Sequence, residues 1–161
     1  MPNFGYVSSY ARRALITAPE PRFGYNSRFE VHDADPREDA MADTLYKRLG
    51  GYDAIAAVAD NLLPRLMADP RLGRFWKHRG EDGVRREKQL LIDFLCASAG
   101  GPLYYVGRDM KLSHRGLGID EHDWQVFLGH VNATLDHFKV PTREKSEVVG
   151  FVESLKKDIV E

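Results

Sequence analysis

Apolar residues recur at the three- and four-residue spacing of an α-helix in four long segments of the chain. The segments cover 53–67, 84–99, 120–138 and 142–159, and each places its apolar residues on one helical face. No segment alternates apolar and polar residues between turn signals, as a half-buried strand does. The pattern therefore predicts an all-α domain with about four main helices and several shorter ones.

The residues between these stripes predict where the helices begin and end. A short helix over 44–49 comes first, and Asp69-Pro70 ends the first long helix. Residues 70–83 are then predicted as a loop. Asp120 begins the third long helix, and Asp123 stands where it approximates a capping box.

A glycine-rich stretch separates the second stripe from the third. Residues 100–102, Gly-Gly-Pro, end the preceding helix, because glycine is entropically costly there and proline lacks the amide donor. Residues 109–113 have room for a short helix only, which Gly116 and Gly118 end. His114 thus lies in a short segment between two longer helices. That position suits a side chain that points one nitrogen at a metal, although a lone histidine is more often structural or solvated.

The first 40 residues differ from the rest of the chain. They contain four prolines and scattered aromatic residues without sustained periodicity. We predict an N-terminal extension over 1–42, either disordered or partly packed on the domain or on a partner, and a helical domain over 43–161. A second hypothesis is that translation starts at Met41, directly before the domain.

Composition narrows the class of protein. The chain has 161 residues, enough for one core, and its net charge of -1 with a pI near 6.6 gives no general attraction to nucleic acid. Its single cysteine excludes an internal disulfide and fits a reducing compartment. No apolar run approaches the roughly 20 residues of a membrane span. We expect a cytoplasmic protein without a membrane span.

The chemistry that the sequence offers centres on His114. No CxxC pair, HExxH motif or P-loop is present. Apolar residues before and after His114 can form two walls of a slot, and a haem iron needs one axial nitrogen facing such a slot. A ligand-free helical bundle explains the same stripes.

Several separated motifs agree in order and spacing with one known family. They are LYKRLGG at 45–51, DPRL at 69–72 with Phe75, GGPLYY at 100–105, GRDM at 107–110, His114 with GLGI at 116–119, VP at 140–141 and KDIV at 157–160. Together they resemble the truncated haemoglobins of group I, over the chain from about residue 43 to its end. The resemblance implies a two-over-two helical sandwich that holds haem b non-covalently.

The resemblance also implies roles for individual residues. His114 matches the proximal iron ligand, and its other ring nitrogen should donate to a nearby backbone carbonyl. Phe75 and Trp76 match the haem-stacking corner, where the family usually has phenylalanine in place of Trp76. The predicted metal ligand is His114, and the predicted haem-binding residues are His114, Leu63, Phe75, Trp76, Lys88, Leu91, Phe94, Leu95, Tyr105, Arg108, Met110, Leu117, Ile119, Trp124 and Phe127.

The side of the haem that would receive the gas departs from the family pattern. Leu63 stands where the family commonly places a tyrosine that stabilises bound O2. Glu87, Leu90 and Leu91 match the distal-helix positions, and a shifted register would instead bring Lys88 or its neighbour Gln89 near the ligand. Because Leu63 and Leu91 offer no hydrogen-bond donor, we expect weaker O2 retention than in relatives with the tyrosine.

The sequence leaves several functions open and assigns no catalytic residue. The first is a haem b protein that reversibly binds O2, CO and NO, with NO dioxygenase chemistry as an option that needs an unidentified reductase. The alternatives are a peroxidase-like haem enzyme and a haem-based sensor or interaction module whose extension contacts a partner. The expected assembly is a monomer or a homodimer.

Overall fold

The computed structural model of the protein describes residues 44–161. Its elements in chain order are α1 Leu45–Arg48, α2 Gly51–Ala68, a 3-10 helix Leu72–Trp76, α3 Glu81–Ser98, α4 Met110–His114, α5 Glu121–His137, α6 Thr142–Ser154 and α7 Lys156–Ile159. This part of the chain contains helices and no strand, which confirms the predicted all-α class. None of these helices is long and apolar enough to cross a membrane. The predicted extension 1–42 and the hypothesis about Met41 lie outside the described residues.

Two pairs of helices form the domain. α2 packs against α3, α5 packs against α6, and α2 also contacts α5. The short α1 contacts α2 and α6, and the short α4 contacts α7. This is the predicted two-over-two arrangement, and it leaves α4 with His114 outside both pairs.

Buried apolar residues hold the pairs together in three clusters. One cluster joins α2, the 3-10 helix and α5, and consists of Leu62, Leu66, Leu72, Val131 and Leu135. A second joins α2 to α3, and a third joins Trp124 of α5 to Val152 and Ile159 near the end of the chain. Burying such side chains stabilises the domain by about 1.5–3 kcal/mol each. Residues of the first and third clusters also line the cavity described below.

Glycine is required at the turn that follows α3. Gly100 has a φ of 83°, and a Cβ atom on Gly101 would lie 2.6 Å from the Tyr46 ring and 2.8 Å from the Cys96 carbonyl oxygen. The Tyr46 amide donates a 2.8 Å hydrogen bond to the Ala99 carbonyl. A side chain at residue 101 would therefore push α1 away from the end of α3.

Several predicted boundaries were wrong, and each for a physical reason. α3 begins at Glu81 rather than near Val84, because its first turn holds the acidic Glu81 and Asp82, which the helix dipole stabilises although they are polar. The predicted loop 70–83 contains the 3-10 helix. The last apolar stripe is divided between α6 and α7 at Leu155. The capping box at Asp120 and Asp123 is confirmed.

Candidate haem site

An apolar cavity of about 350 Å³ opens between the helices. It is lined from α2, the 3-10 helix, α3, α4, α5, α6 and α7. The predicted haem-binding residues that line it are Leu63, Phe75, Trp76, Leu91, Phe94, Leu95, Tyr105, Met110, His114, Leu117, Ile119, Trp124 and Phe127. A volume of this order suits a bound organic group rather than a single water molecule.

His114 is the last residue of α4 and lines the cavity. The side chain of Asp109 caps this helix by accepting a 2.7 Å hydrogen bond from the Leu112 amide. The Nδ1 atom of His114 lies 2.8 Å from the Met110 carbonyl oxygen. Since a carbonyl only accepts, Nδ1 carries the proton of the neutral ring, and the lone pair is on Nε2. This is the ring geometry that a metal-ligating histidine needs.

The loop that follows His114 is held by the last residue of the chain. The carboxylate of Glu161 accepts hydrogen bonds from the amides of Gly116 and Gly118, at 2.8 and 2.9 Å. The backbone amide of Glu161 donates a 2.9 Å hydrogen bond to the Ile119 carbonyl. The two glycine amides lower the pKa of the Glu161 carboxyl below its ordinary value. The backbone on the C-terminal side of His114 is therefore restrained.

A group of charges fixes the aromatic corner at the 3-10 helix. Asp123, at the start of α5, has a side chain without solvent exposure. It accepts hydrogen bonds from Arg74, at 2.9 and 2.5 Å, and from Arg71 Nε at 2.6 Å. The hydrogen bonds from Arg74, the Asp120 amide and Arg71 hold the pKa of Asp123 well below its usual range. Arg74 also stacks over the ring of Phe75, with Cζ 4.3 Å from the ring centre.

A second charged contact joins the end of α2 to α5. Asp69 accepts a 2.8 Å hydrogen bond from His130 Nε2, and the amides of Leu72 and Arg71 also donate to it. These bonds, chiefly the one from His130, lower the pKa of Asp69 to about 2. His130 therefore has a structural partner away from the cavity lining.

The wall formed by α2 and α3 is mostly aliphatic. Leu63 is buried, and Leu90 and Leu91 line the cavity from α3. Glu87 is the polar residue of this wall that lines the cavity. Its Oε1 atom accepts a 3.1 Å hydrogen bond from Nε1 of Trp76, the last residue of the 3-10 helix. Leu63 and Leu91 have no group that can donate to a ligand.

Two of the predicted haem-binding residues, Lys88 and Arg108, do not line the cavity. Lys88 is not part of the lining, and its Nζ forms a 2.6 Å ion pair with Asp60 of α2. Arg108 is exposed, and its carbonyl oxygen accepts from the Tyr105 hydroxyl at 2.8 Å. Tyr105 itself lines the cavity and packs edge-on against Phe94, with ring centres 5.2 Å apart.

The structure adds residues that the sequence did not single out for the site. Phe151 of α6 lines the cavity and packs on Phe94, with ring centres 5.8 Å apart. Asp123, treated only as a capping residue, also lines the cavity and pairs with Arg71 and Arg74. The sequence carried one signal of this pairing. Asp69, Arg71 and Arg74 are three charged residues close to a predicted buried corner, and charges in such a place need partners.

Known proteins share both the sequence pattern and this helical arrangement. The model of the bacterial-like globin family matches residues 44–161. A group 1 truncated hemoglobin, GlbN, from Mycolicibacterium paratuberculosis is 33% identical over 116 residues, which cover 72% of this chain and 83% of that protein. The crystal structure of the truncated hemoglobin from Tetrahymena pyriformis, in its Fe(III) form, superimposes with a TM-score of 0.67 at 26% identity. The match covers 73% of this chain and 98% of that chain.

A further structural relative is a 2/2 hemoglobin from Synechococcus sp. PCC 7002, solved in the cyanomet state with covalently attached heme. It has a TM-score of 0.67 and 25% identity, covering 73% of this chain and 98% of that chain. The chain therefore belongs to the bacterial-like globin family, as a group I truncated haemoglobin. The protein binds haem b and, through the haem, a diatomic gas. The apolar cavity, with the Nε2 lone pair of His114 in its wall, fits a haem.

Proposed function

We propose that His114 Nε2 ligates the haem iron and that O2, CO and NO bind reversibly beside Leu63 and Leu91. The observation that carries this proposal is the 2.8 Å hydrogen bond from His114 Nδ1 to the Met110 carbonyl in the cavity wall. It fixes the tautomer and the orientation of the ring, as the outer partner of a ligating histidine does. Haem iron supplies the gas-binding chemistry, and the chain holds the ring system and keeps water away from it.

The remaining residues of the site act by packing and by polarity. Phe75, Phe94, Trp124 and Phe127 line the cavity and would pack against a haem with aromatic surface. Of the two cations in the predicted haem-binding set, Lys88 and Arg108, Lys88 already pairs with Asp60. The exposed Arg108 is therefore the better candidate for a haem propionate.

The aliphatic wall formed by Leu63 and Leu91 affects how strongly each gas is retained at the iron. Bound O2 is polarised and gains from a hydrogen-bond donor, whereas CO and NO gain less. Leu63 and Leu91 give no donor, so O2 is held weakly. NO dioxygenation needs a stable O2 complex and a reductase, and this wall favours simple reversible binding over that reaction.

The test is the visible absorption spectrum of the purified protein, ferric and ferrous, with and without CO. Wild-type protein should show an intense Soret band that shifts with CO. His114→Ala should weaken or alter the band, because the iron loses its protein ligand. His122→Ala is the matched control, since His122 is exposed on α5 and is not part of the cavity lining. A variant His114→Ala with an unchanged ferrous spectrum would contradict the assignment.

A further inference from the structure

The chain between α3 and α4 contains an extended segment, residues 103–107, whose side chains alternate between the domain and solvent. Leu103 packs against the cluster that joins α2 to α3, and Tyr105 lines the cavity. Tyr104 and Val106 face solvent instead, and they are 94% and 82% exposed. A period of two is that of a β-strand, although no strand in the described part of the chain pairs with this segment.

The backbone of the extended segment has free hydrogen-bonding groups. None of its amides donates to an acceptor within residues 44–161, and none of its carbonyl oxygens accepts from a donor there. A row of free amides and carbonyls is a template for pairing with another extended chain. Proteins usually protect such an edge with charged residues or proline, and here Pro102 and Arg108 stand only at its two ends.

The order of its residues makes the extended segment complementary to a second copy of itself. When two copies run antiparallel about a two-fold axis at Tyr105, Tyr104 of each copy lies opposite Val106 of the other. Both residues belong to the solvent-facing set. An aromatic side chain opposite a β-branched one is a favourable cross-strand pair. Leu103 then lies opposite Gly107, so the alternation of the two copies agrees at every position.

The charges of the extended segment also fit a second copy of the chain. The segment carries no charged side chain, so it offers nothing that would recognise a charged partner. Beyond its ends, Arg108 lies opposite Pro102 of the other copy, and like charges therefore do not meet across the axis. A two-fold contact of this kind is also the commonest form of self-association among soluble proteins.

Other exposed apolar side chains of the described residues lack these features. Tyr52, Met67 and Phe138 are 37%, 37% and 39% exposed, and each belongs to a helix or caps one. We propose that two copies of the protein associate through the extended segment, as an antiparallel pair of strands with Tyr104 of each copy against Val106 of the other. The contact is small, so the dimer is weak and forms at high concentration. This inference does not depend on the proposed haem function.

The test is sedimentation velocity of the full-length protein over a wide range of concentrations. Wild-type protein should change from monomer to dimer as its concentration rises. Tyr104→Lys and Val106→Glu should each weaken the dimer by about tenfold, because a symmetric dimer loses the cross-strand pair twice. Both residues are exposed, so neither change removes core packing. Phe138→Lys is the matched control, since it removes an exposed aromatic ring elsewhere, and it should leave the dimer unchanged.

Mixing the two weakened variants tests the register of the pairing. In a mixed dimer, one of the two contacts is that of the wild type, and the other brings opposite charges together. An equimolar mixture of Tyr104→Lys and Val106→Glu should therefore associate several-fold more strongly than either variant alone. A mixture that associates no better than its components would show that the proposed pairing is wrong.

Amide exchange separates strand pairing from a contact of side chains alone. In the dimer, every second amide of residues 103–107 should exchange about fivefold more slowly than in the monomer, because alternate amides of a strand point toward one neighbour. Wild-type protein that stays monomeric at every concentration would overturn the inference. A monomer in which these amides are already protected would mean that another part of the chain covers the extended segment, and would overturn it as well.

Discussion

The two ends of the cavity satisfy their polar groups in opposite ways. The histidine side consists of α4 and the loop up to Ile119, and there His114, Ser113 and the amides of Gly116 and Gly118 all have hydrogen-bond partners. The side that would receive the gas, called the gas side, consists of Leu63, Leu90, Leu91 and Glu87. It offers mostly aliphatic surface, and Trp76 and Arg79 hold its one carboxylate. On the proposed function, a rigidly held iron ligand on one side is combined with a surface on the other side that should retain O2 only weakly.

The largest predicted effect is a loss of stability on mutation of Asp123, the residue that anchors the aromatic corner between the two sides. Asp123→Ala removes the acceptor of Arg71 and Arg74 and one half of the capping box, so it should lower the free energy of unfolding by about 2 kcal/mol. Urea unfolding at neutral pH measures this. Because these two arginines are partly exposed, water can solvate them again, which keeps the loss moderate.

Acid should remove the same stabilisation without a mutation. The folded-state pKa of Asp123 lies below its ordinary 3.8, so its contribution is present above that value and is lost as the pH falls through the depressed pKa. The stability difference between wild type and Asp123→Asn should therefore shrink as the pH is lowered below that ordinary value. A difference that stays constant down to acid unfolding would show that Asp123 acts only through packing.

The next largest predicted effect is on the rate of O2 release and concerns the gas side alone. Leu63→Tyr places a hydroxyl donor where the wall has none, so it should slow O2 release by roughly tenfold. Leu63→Phe is the control, because it adds the ring without the hydroxyl, and CO release should change less than O2 release in the tyrosine variant. Stopped-flow measurement of both rates decides. Equal O2 release from the two variants would mean that the aliphatic wall is not what limits O2 retention.

The sequence predicted the histidine side better than its supports. Helical stripes, the breaks at Gly100 and Gly116, and the capping box at Asp120 are local signals, and each was found in the structure. The contacts that hold the site join residues far apart in the chain. Glu161 is 45 residues from Gly116, and no local pattern shows such a pairing. The role of Lys88 stays a prediction, and its pairing with Asp60 also depends on how two helices pack.

The smallest effect tests whether the histidine side owes its order to Glu161. Glu161→Gln keeps the size of the side chain but weakens two charge-assisted hydrogen bonds to the loop after His114. Amide exchange of Gly116 and Gly118 should become about fivefold faster, since a single hydrogen bond contributes little net stability. Haem should also dissociate somewhat faster, because the backbone beside its proposed ligand moves more freely.

The control for this change is Glu153→Gln, at an exposed residue of α6 outside the cavity lining. It alters the net charge equally and should affect neither measurement. O2 release should stay close to wild type in Glu161→Gln, since Leu63 and Leu91 are untouched. If O2 release changed as much as the exchange of the two amides, the two sides would be coupled through the haem, and the histidine side could no longer be treated as a separate, rigid support.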